Sequence, residues 1–216
     1  MRGFIEKDLR LLRGQKRTFL IIVALAVFLG YNSTDFFVVS YLTFVSGFLV
    51  FSTFNYDEHG NSISFLLSLP VLRQDYVRSK YVMGLLVTGA GWLIGMILTV
   101  VMSVIRGTAL VPADLALQIV WLAVWNMILA LILPAMIRFG AENGRIIMLA
   151  LILGIAAVAF LVSKIAETMG MDLSFVIPKI SMMGTTVLVL GIVAVTLVVM
   201  FLSYLISVQI MKKKEY

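Results

Sequence analysis

The chain has 216 residues, 62% of them hydrophobic, with a mean hydropathy of +1.08 and a net charge of +6. Apolar content this far above the half or so of a soluble domain leaves no room for a separate soluble domain. The absence of cysteine rules out a disulfide framework, thiol catalysis and cysteine metal sites, and a single histidine, His59, leaves little for metal chemistry.

Residues Arg2–Arg17 open the chain as an amphipathic helix. Phe4, Ile5, Leu9 and Leu12 recur at spacings of three and four, and basic residues fill the rest. Such a helix lies in the headgroup plane with its apolar face in lipid; the plainer reading is an ordinary basic flank. No small-residue cleavage pattern follows, so this is not read as a secretory signal. Six apolar runs then succeed one another: Thr18–Tyr31, Phe36–Phe54, Tyr81–Ile105, Leu115–Ile137, Ile146–Ser163 and Thr185–Met211. A bilayer core about 30 Å thick takes roughly 20 residues of helix, with a range of about 17–25. The first run falls short of that length and must borrow flanking residues such as Arg17 and Asn32. The fold class is therefore all-α: a polytopic membrane protein with six transmembrane helices in one domain spanning residues 1–216.

The first two runs are joined by a tight turn, Asn32–Asp35. The loop after the second, Asn55–Lys80, is the richest polar segment. It starts Asn55-Tyr56-Asp57-Glu58-His59-Gly60 and continues with the apolar stretch Ile63-Ser64-Phe65-Leu66-Leu67-Ser68-Leu69. Asn61 or Ser62 can cap a helix start, and Pro70 disfavours helix at Leu69. The product is a helix of about two turns, too short to span. It is either a knob for a groove on a partner protein or an interfacial loop with no partner.

Further on, Gly91-Trp92-Leu93-Ile94-Gly95 is a small-xxx-small pattern that allows close helix approach, within the chain or at a subunit contact. Arg106–Asp114 is a short loop. In the fourth run Asn126 is expected to bond a neighbouring helix in preference to a substrate, Trp121 and Trp125 share a face suited to lipid or interfacial packing in preference to a substrate platform, and Pro134 is expected to kink the helix near its inner end. Arg138–Arg145 forms a second charged loop around Glu142. Lys164–Gly184 is too short and polar to span and fits two short helices dipping into the outer interface.

All but three of the 17 Lys and Arg residues fall in the N-terminus, the loops Asn55–Lys80 and Arg138–Arg145, and the tail; the exceptions are Arg106, Lys164 and Lys179. The positive-inside rule then puts both termini in the cytoplasm. The basic inner surface suits anionic lipid, and nothing in it points to nucleic acid.

Three stretches carry a family resemblance. They are Asp57-Glu58-x-Gly60, the leucine-rich run after it, and Ser68-Leu69-Pro70-Val71-x-Arg73-x-Asp75-Tyr76-Val77-x-Ser79-Lys80. Together with the basic first helix and the six-run layout, they resemble the membrane (permease) subunit of a type-2 ABC exporter of the short peptide- or drug-export type. The chain lacks the large external domain of some relatives. The resemblance implies that residues 55–80 are a coupling loop seated in an ABC ATPase subunit through Asp57, Glu58, His59, Gly60, Ser64, Phe65, Leu66, Leu67, Leu69, Pro70 and Arg73. In that arrangement Asp57 and Glu58 form a rim pair whose reversal has mild effects. It implies a second membrane subunit forming a homodimer, a bacterial plasma-membrane location, and hydrophobic or peptide cargo. ATP and Mg would sit on the partner subunit, with no cofactor in this chain. No G-x-x-x-x-G-K-[ST] phosphate loop occurs here, so the chain is expected not to be an enzyme by itself. The competing reading is a stand-alone immunity or membrane-assembly protein without transport activity.

Overall fold

A computed structural model describes residues 2–31, 35–58, 72–107, 112–168 and 185–213. Every described element is a helix: α1 (Arg2–Gly14), α2 (Lys16–Tyr31), α3 (Asp35–Glu58), α4 (Arg73–Arg106), α5 (Pro112–Thr168) and α6 (Thr185–Lys213). Hydrocarbon offers the backbone no hydrogen-bond partners, so apolar runs of this length close their own bonds as helices. Among the described residues, four stretches are long and apolar enough to cross a membrane: Phe37–Asp57, Arg73–Arg106, Leu117–Gly140 and Thr186–Lys213. The shortest apolar run forms α2, with 16 residues. The fifth run lies in the second part of α5.

Two boundaries differ from the sequence expectation. α3 carries on to Glu58 and α4 begins at Arg73, so both ends of the expected loop Asn55–Lys80 are helical. Polar residues usually end an apolar helix, but here several of them turn inward and find partners, so the helix continues through them. Pro134, where a kink is expected, lies inside α5. Helical geometry runs through Pro134 and is left at Gly140, with φ 86° and ψ 170°. Only glycine adopts that backbone without strain. The expected turn at residues 32–34, most of the expected coupling loop (59–71) and most of the expected external segment (169–184) lie outside the described residues; Lys164–Thr168 continues α5.

α3 packs closely along α4, and the glycine pattern lies in that contact. A Cβ at Gly91 would lie 2.9 Å from the Leu42 carbonyl oxygen, and one at Gly95 2.8 Å from Val39 Cα. The small-xxx-small motif is thus spent on packing inside one chain. Two apolar cores follow. The larger joins Phe4, Phe51, Phe54, Tyr76, Tyr81, Leu129, Leu133, Met136, Met200 and Met211. The smaller joins Ala26 of α2 to Val38, Leu42 and Met102.

Polar side chains tie the helices where apolar packing cannot choose a register. Asn126 accepts from Thr88 at 3.3 Å and donates to the Leu122 carbonyl at 2.8 Å, the helix-bridging role expected of it. Tyr81 bonds Ser203 and Ser207 of α6, the latter at 2.8 Å. The Trp92 indole donates to the Gln118 carbonyl at 2.9 Å. At one end of the bundle the Arg106 guanidinium donates to the Gly30 and Tyr31 carbonyls, which α2 leaves without partners at its C-terminus. At the opposite end Arg73 reaches the Met211 and Lys212 carbonyls of α6, at 3.4 Å each. α1 and the end of α6 therefore lie at the same end of the molecule, beside the last turn of α3 and the first of α4.

Candidate functional site: a buried charge cluster at the feet of the loop

α1 approaches the bundle with Phe4, Lys7 and Asp8 on one face. Phe4 sets its ring edge-on to Tyr76, centroids 5.8 Å apart. The sequence places Phe4 in lipid, but it is buried in the core while Leu9, from the same apolar set, stays exposed. One helix thus serves two surroundings, with an apolar flank left outside and a mixed stripe turned inward.

That stripe delivers Asp8 to Lys80. Lys80 is the largest fully buried side chain of the molecule among the described residues. Its ammonium contacts Asp57 Oδ2 at 2.7 Å, Asp8 Oδ2 at 2.9 Å and Thr53 Oγ1 at 3.1 Å. An ammonium has three donors, and here three oxygens surround it. The Phe54 ring faces it at 4.7 Å and the Tyr76 ring at 5.5 Å, adding cation–π attraction. Asp57 also accepts from the Tyr76 hydroxyl at 3.1 Å and from Lys7. Asp8 Oδ1 receives no hydrogen bond, but Lys7 Nζ stands 3.3 Å away and supplies charge. Two cations and two carboxylates balance. A buried charge is tolerated only when it is paired and hydrogen-bonded, and this cluster meets both conditions with side chains from three helices.

The cluster sits at the two feet of the loop. Asp57 occupies the last turn of α3, where the chain leaves for residues 59–71, and Tyr76 and Lys80 occupy the first turns of α4, where it returns. Of the residues singled out from the sequence, the structure brings Asp57 into the cluster. Its side chain is 2% exposed, so it is not a rim residue, and mild effects of its reversal no longer follow. Arg73 stands at the start of α4 and ties it to α6. Glu58 closes α3. His59, Gly60, Ser64, Phe65, Leu66, Leu67, Leu69 and Pro70 lie outside the described residues. Sequence reasoning missed the roles of Lys7, Asp8, Thr53, Tyr76 and Lys80. One signal was present: Asp8 falls four residues after Phe4, on the same helix face, in a segment otherwise rich in Lys and Arg.

A second feature opens between α3 and α5. It is a groove of about 320 Å³ whose walls include Phe37, Tyr41, Phe44, Trp121 and Trp125, with the Ser40 and Thr43 positions at its side. Trp125 is anchored in a notch at Gly47, where a Cβ would collide with its indole. Phe44 packs on it with centroids 4.7 Å apart. Trp121, one turn away, is half exposed.

A family model described as ABC-2 family transporter protein matches residues 3–212. No curated protein and no solved structure matches the chain.

Proposed function

Because the chain belongs to the ABC-2 transporter family, and is accordingly a multi-pass transmembrane transport subunit, we propose that it is one of two membrane subunits of an ATP-driven exporter. In this reading the segment 59–71 is the coupling element. It seats in a separate ABC ATPase that carries ATP and Mg, and the chain itself hydrolyses nothing. Six helices cross a bacterial plasma membrane, α2 and the second part of α5 being the two beyond the four long apolar stretches, with both termini in the cytoplasm. The observation that carries the reading is the convergence of α1, both feet of the loop and the end of α6 at one end of the bundle. A push on the loop meets four helices there at once. Rigid helices then pass the displacement toward the opposite end, the kind of bistable movement that packed interfaces support.

The cargo in this reading is hydrophobic or amphipathic, most plainly a small amphipathic peptide. Charge is nearly absent from the apolar runs, so an ionic cargo would find few partners for its desolvated groups. The aromatic groove between α3 and α5 offers almost wholly apolar walls, suited to the apolar part of such a ligand.

Tagged chain purified from its host should bring down an ABC ATPase, identified by mass spectrometry. Replacing Leu66 and Leu67 by Asp should abolish that association while leaving membrane insertion intact, since loss of a central apolar contact in an interface costs on the order of 2–4 kcal/mol. Undiminished recovery of the ATPase with the double substitution would remove the docking assignment. Recovery of no ATPase by the parent chain would favour the immunity or assembly reading.

A further inference from the structure

The charge cluster joins three helices that the sequence keeps apart, and its position is not explained by stability alone. A buried ion pair is seldom more stabilising than an apolar pair of the same size. Lys80, Asp8 and Asp57 could in principle be three methyl-bearing side chains. What charges add is geometry: an ammonium fixed by three oxygens holds its partners at set distances and directions, whereas apolar contacts slide.

We propose that Lys80 is a positioning residue for transport, the pin of a rigid joint that makes α1, the end of α3 and the start of α4 move as one body when the loop between them is displaced. The geometry is specific. From α4, Lys80 reaches Asp57 at the leaving foot of the loop and Asp8 of α1. Tyr76, one turn before Lys80, donates to Asp57, so both feet share one acceptor. Lys7 binds the same Asp57 from α1. At the other end of α1, Gln15 contacts Ser52 Oγ at 3.5 Å and the Tyr56 hydroxyl at 3.3 Å, both on α3. Without Lys80 and Asp8, α1 would keep that hold and the Lys7 contact with α3 but lose its ionic link to α4. The two feet would keep the Tyr76–Asp57 hydrogen bond, and α1 its ring contact with Tyr76, but one hydrogen bond and one ring contact fix direction less than an ammonium held by three oxygens. The inference rests on the reading of residues 59–71 as the element that takes the ATPase stroke.

The test uses the double variant Asp8→Asn with Lys80→Met. It removes one charge of each sign, so the Lys7–Asp57 pair remains balanced, and neutral replacement of a whole buried pair is usually tolerated. The chain has no cysteine. Spin labels on Gly3→Cys and Gly89→Cys are therefore unique, and at both positions a Cβ meets nothing within 4 Å. In lipid nanodiscs, with the labelled full chain diluted into an excess of unlabelled cysteine-free chain so that distances between subunits drop out, the parent should give one narrow distance between the labels and the double variant a broad distribution. An equally narrow distribution in the variant overturns the joint. With the copurified ATPase bound, trapping with ATP and vanadate should leave the parent distance unchanged, because both labels ride on one body. The variant complex should still hydrolyse ATP, but its distance should change on trapping, because α1 and α4 no longer move together. A parent distance that shifts on trapping, or a hydrolysing variant whose distance stays as fixed as the parent's, refutes the positioning role. If no ATPase copurifies with the parent, the coupling reading falls, and the width comparison by itself decides whether the joint exists.

Discussion

At Lys80, Thr53 and the two carboxylates leave the ammonium no unused donor. That completeness makes single substitutions severe. Lys80→Met alone leaves Asp8 and Asp57 facing only Lys7, a surplus negative charge in a dry site. Breaking a buried pair from one side costs about 3–5 kcal/mol, so the variant should reach the membrane in low amount or unfold at a clearly lower temperature in detergent. Asp57→Lys should be at least as harmful, because it would set a third cation against Lys7 and Lys80. Thermal unfolding followed by fluorescence in detergent checks both. A melting temperature for Lys80→Met equal to the parent's would mean that the network carries no stability. Asp57 also marks how far the sequence could be read. Its acidity and its place in a family-like motif were visible. Its burial was not, because burial depends on α1 folding back across some fifty residues of chain, which neither spacing nor composition encodes.

Among the elements, α3 and α4 show the opposite case, where a local pattern sufficed. Gly91 and Gly95, four apart, present a flat strip to which Leu42 and Val39 of α3 come within a carbon–carbon contact. The sequence left open whether the strip served this chain or a second copy; the structure assigns it to α3. Gly95→Leu should therefore force the two helices apart, with an overpacking cost of about 1–3 kcal/mol or more, seen as reduced thermal stability of the single subunit. Gly89→Ala on the same helix meets no neighbour and should do no harm, since alanine is the better helix former by up to about 1 kcal/mol. Equal effects of the two substitutions would show that the strip is not a packing surface. The boundaries of α3 and α4 were less legible. Hydropathy ends a span at the first charged residue, whereas Asp57, Tyr76 and Lys80 continue the helices because their polar ends meet each other. In α5 the visible cue, Pro134, drew attention from Gly140, six residues on, where the backbone turns. A glycine gives no sequence sign of positive φ.

For the whole molecule the question is whether α2 crosses the membrane. At 1.5 Å per residue its 16 residues span about 24 Å, short of a hydrocarbon core of about 30 Å. Its neighbours supply the missing argument. Near one end of α4, Lys80 holds Asp8 of α1; at the other, Arg106 holds the Gly30 and Tyr31 carbonyls of α2. Those two points on α4 lie about 39 Å apart along the helix. The chain from Asp8 to Gly30 thus runs from one end of an apolar span to the other, and the shortfall is of a size that snorkelling Lys16 and Arg17 can absorb. With α2 crossing, the end of α6 beside Arg73 returns to the side of α1, as the segregation of Lys and Arg requires. Single cysteines in this cysteine-free chain provide the check. In intact cells a membrane-impermeant maleimide should label Ala109→Cys, between α4 and α5 in the chain, and should reach Gly3→Cys and Lys213→Cys only after permeabilisation. Opposite sidedness for Gly3→Cys and Lys213→Cys would mean an odd number of crossings. In that case α2 or the second part of α5 would lie on the membrane and not through it, and the shared end of α1 and α6 could not be a cytoplasmic platform for an ATPase.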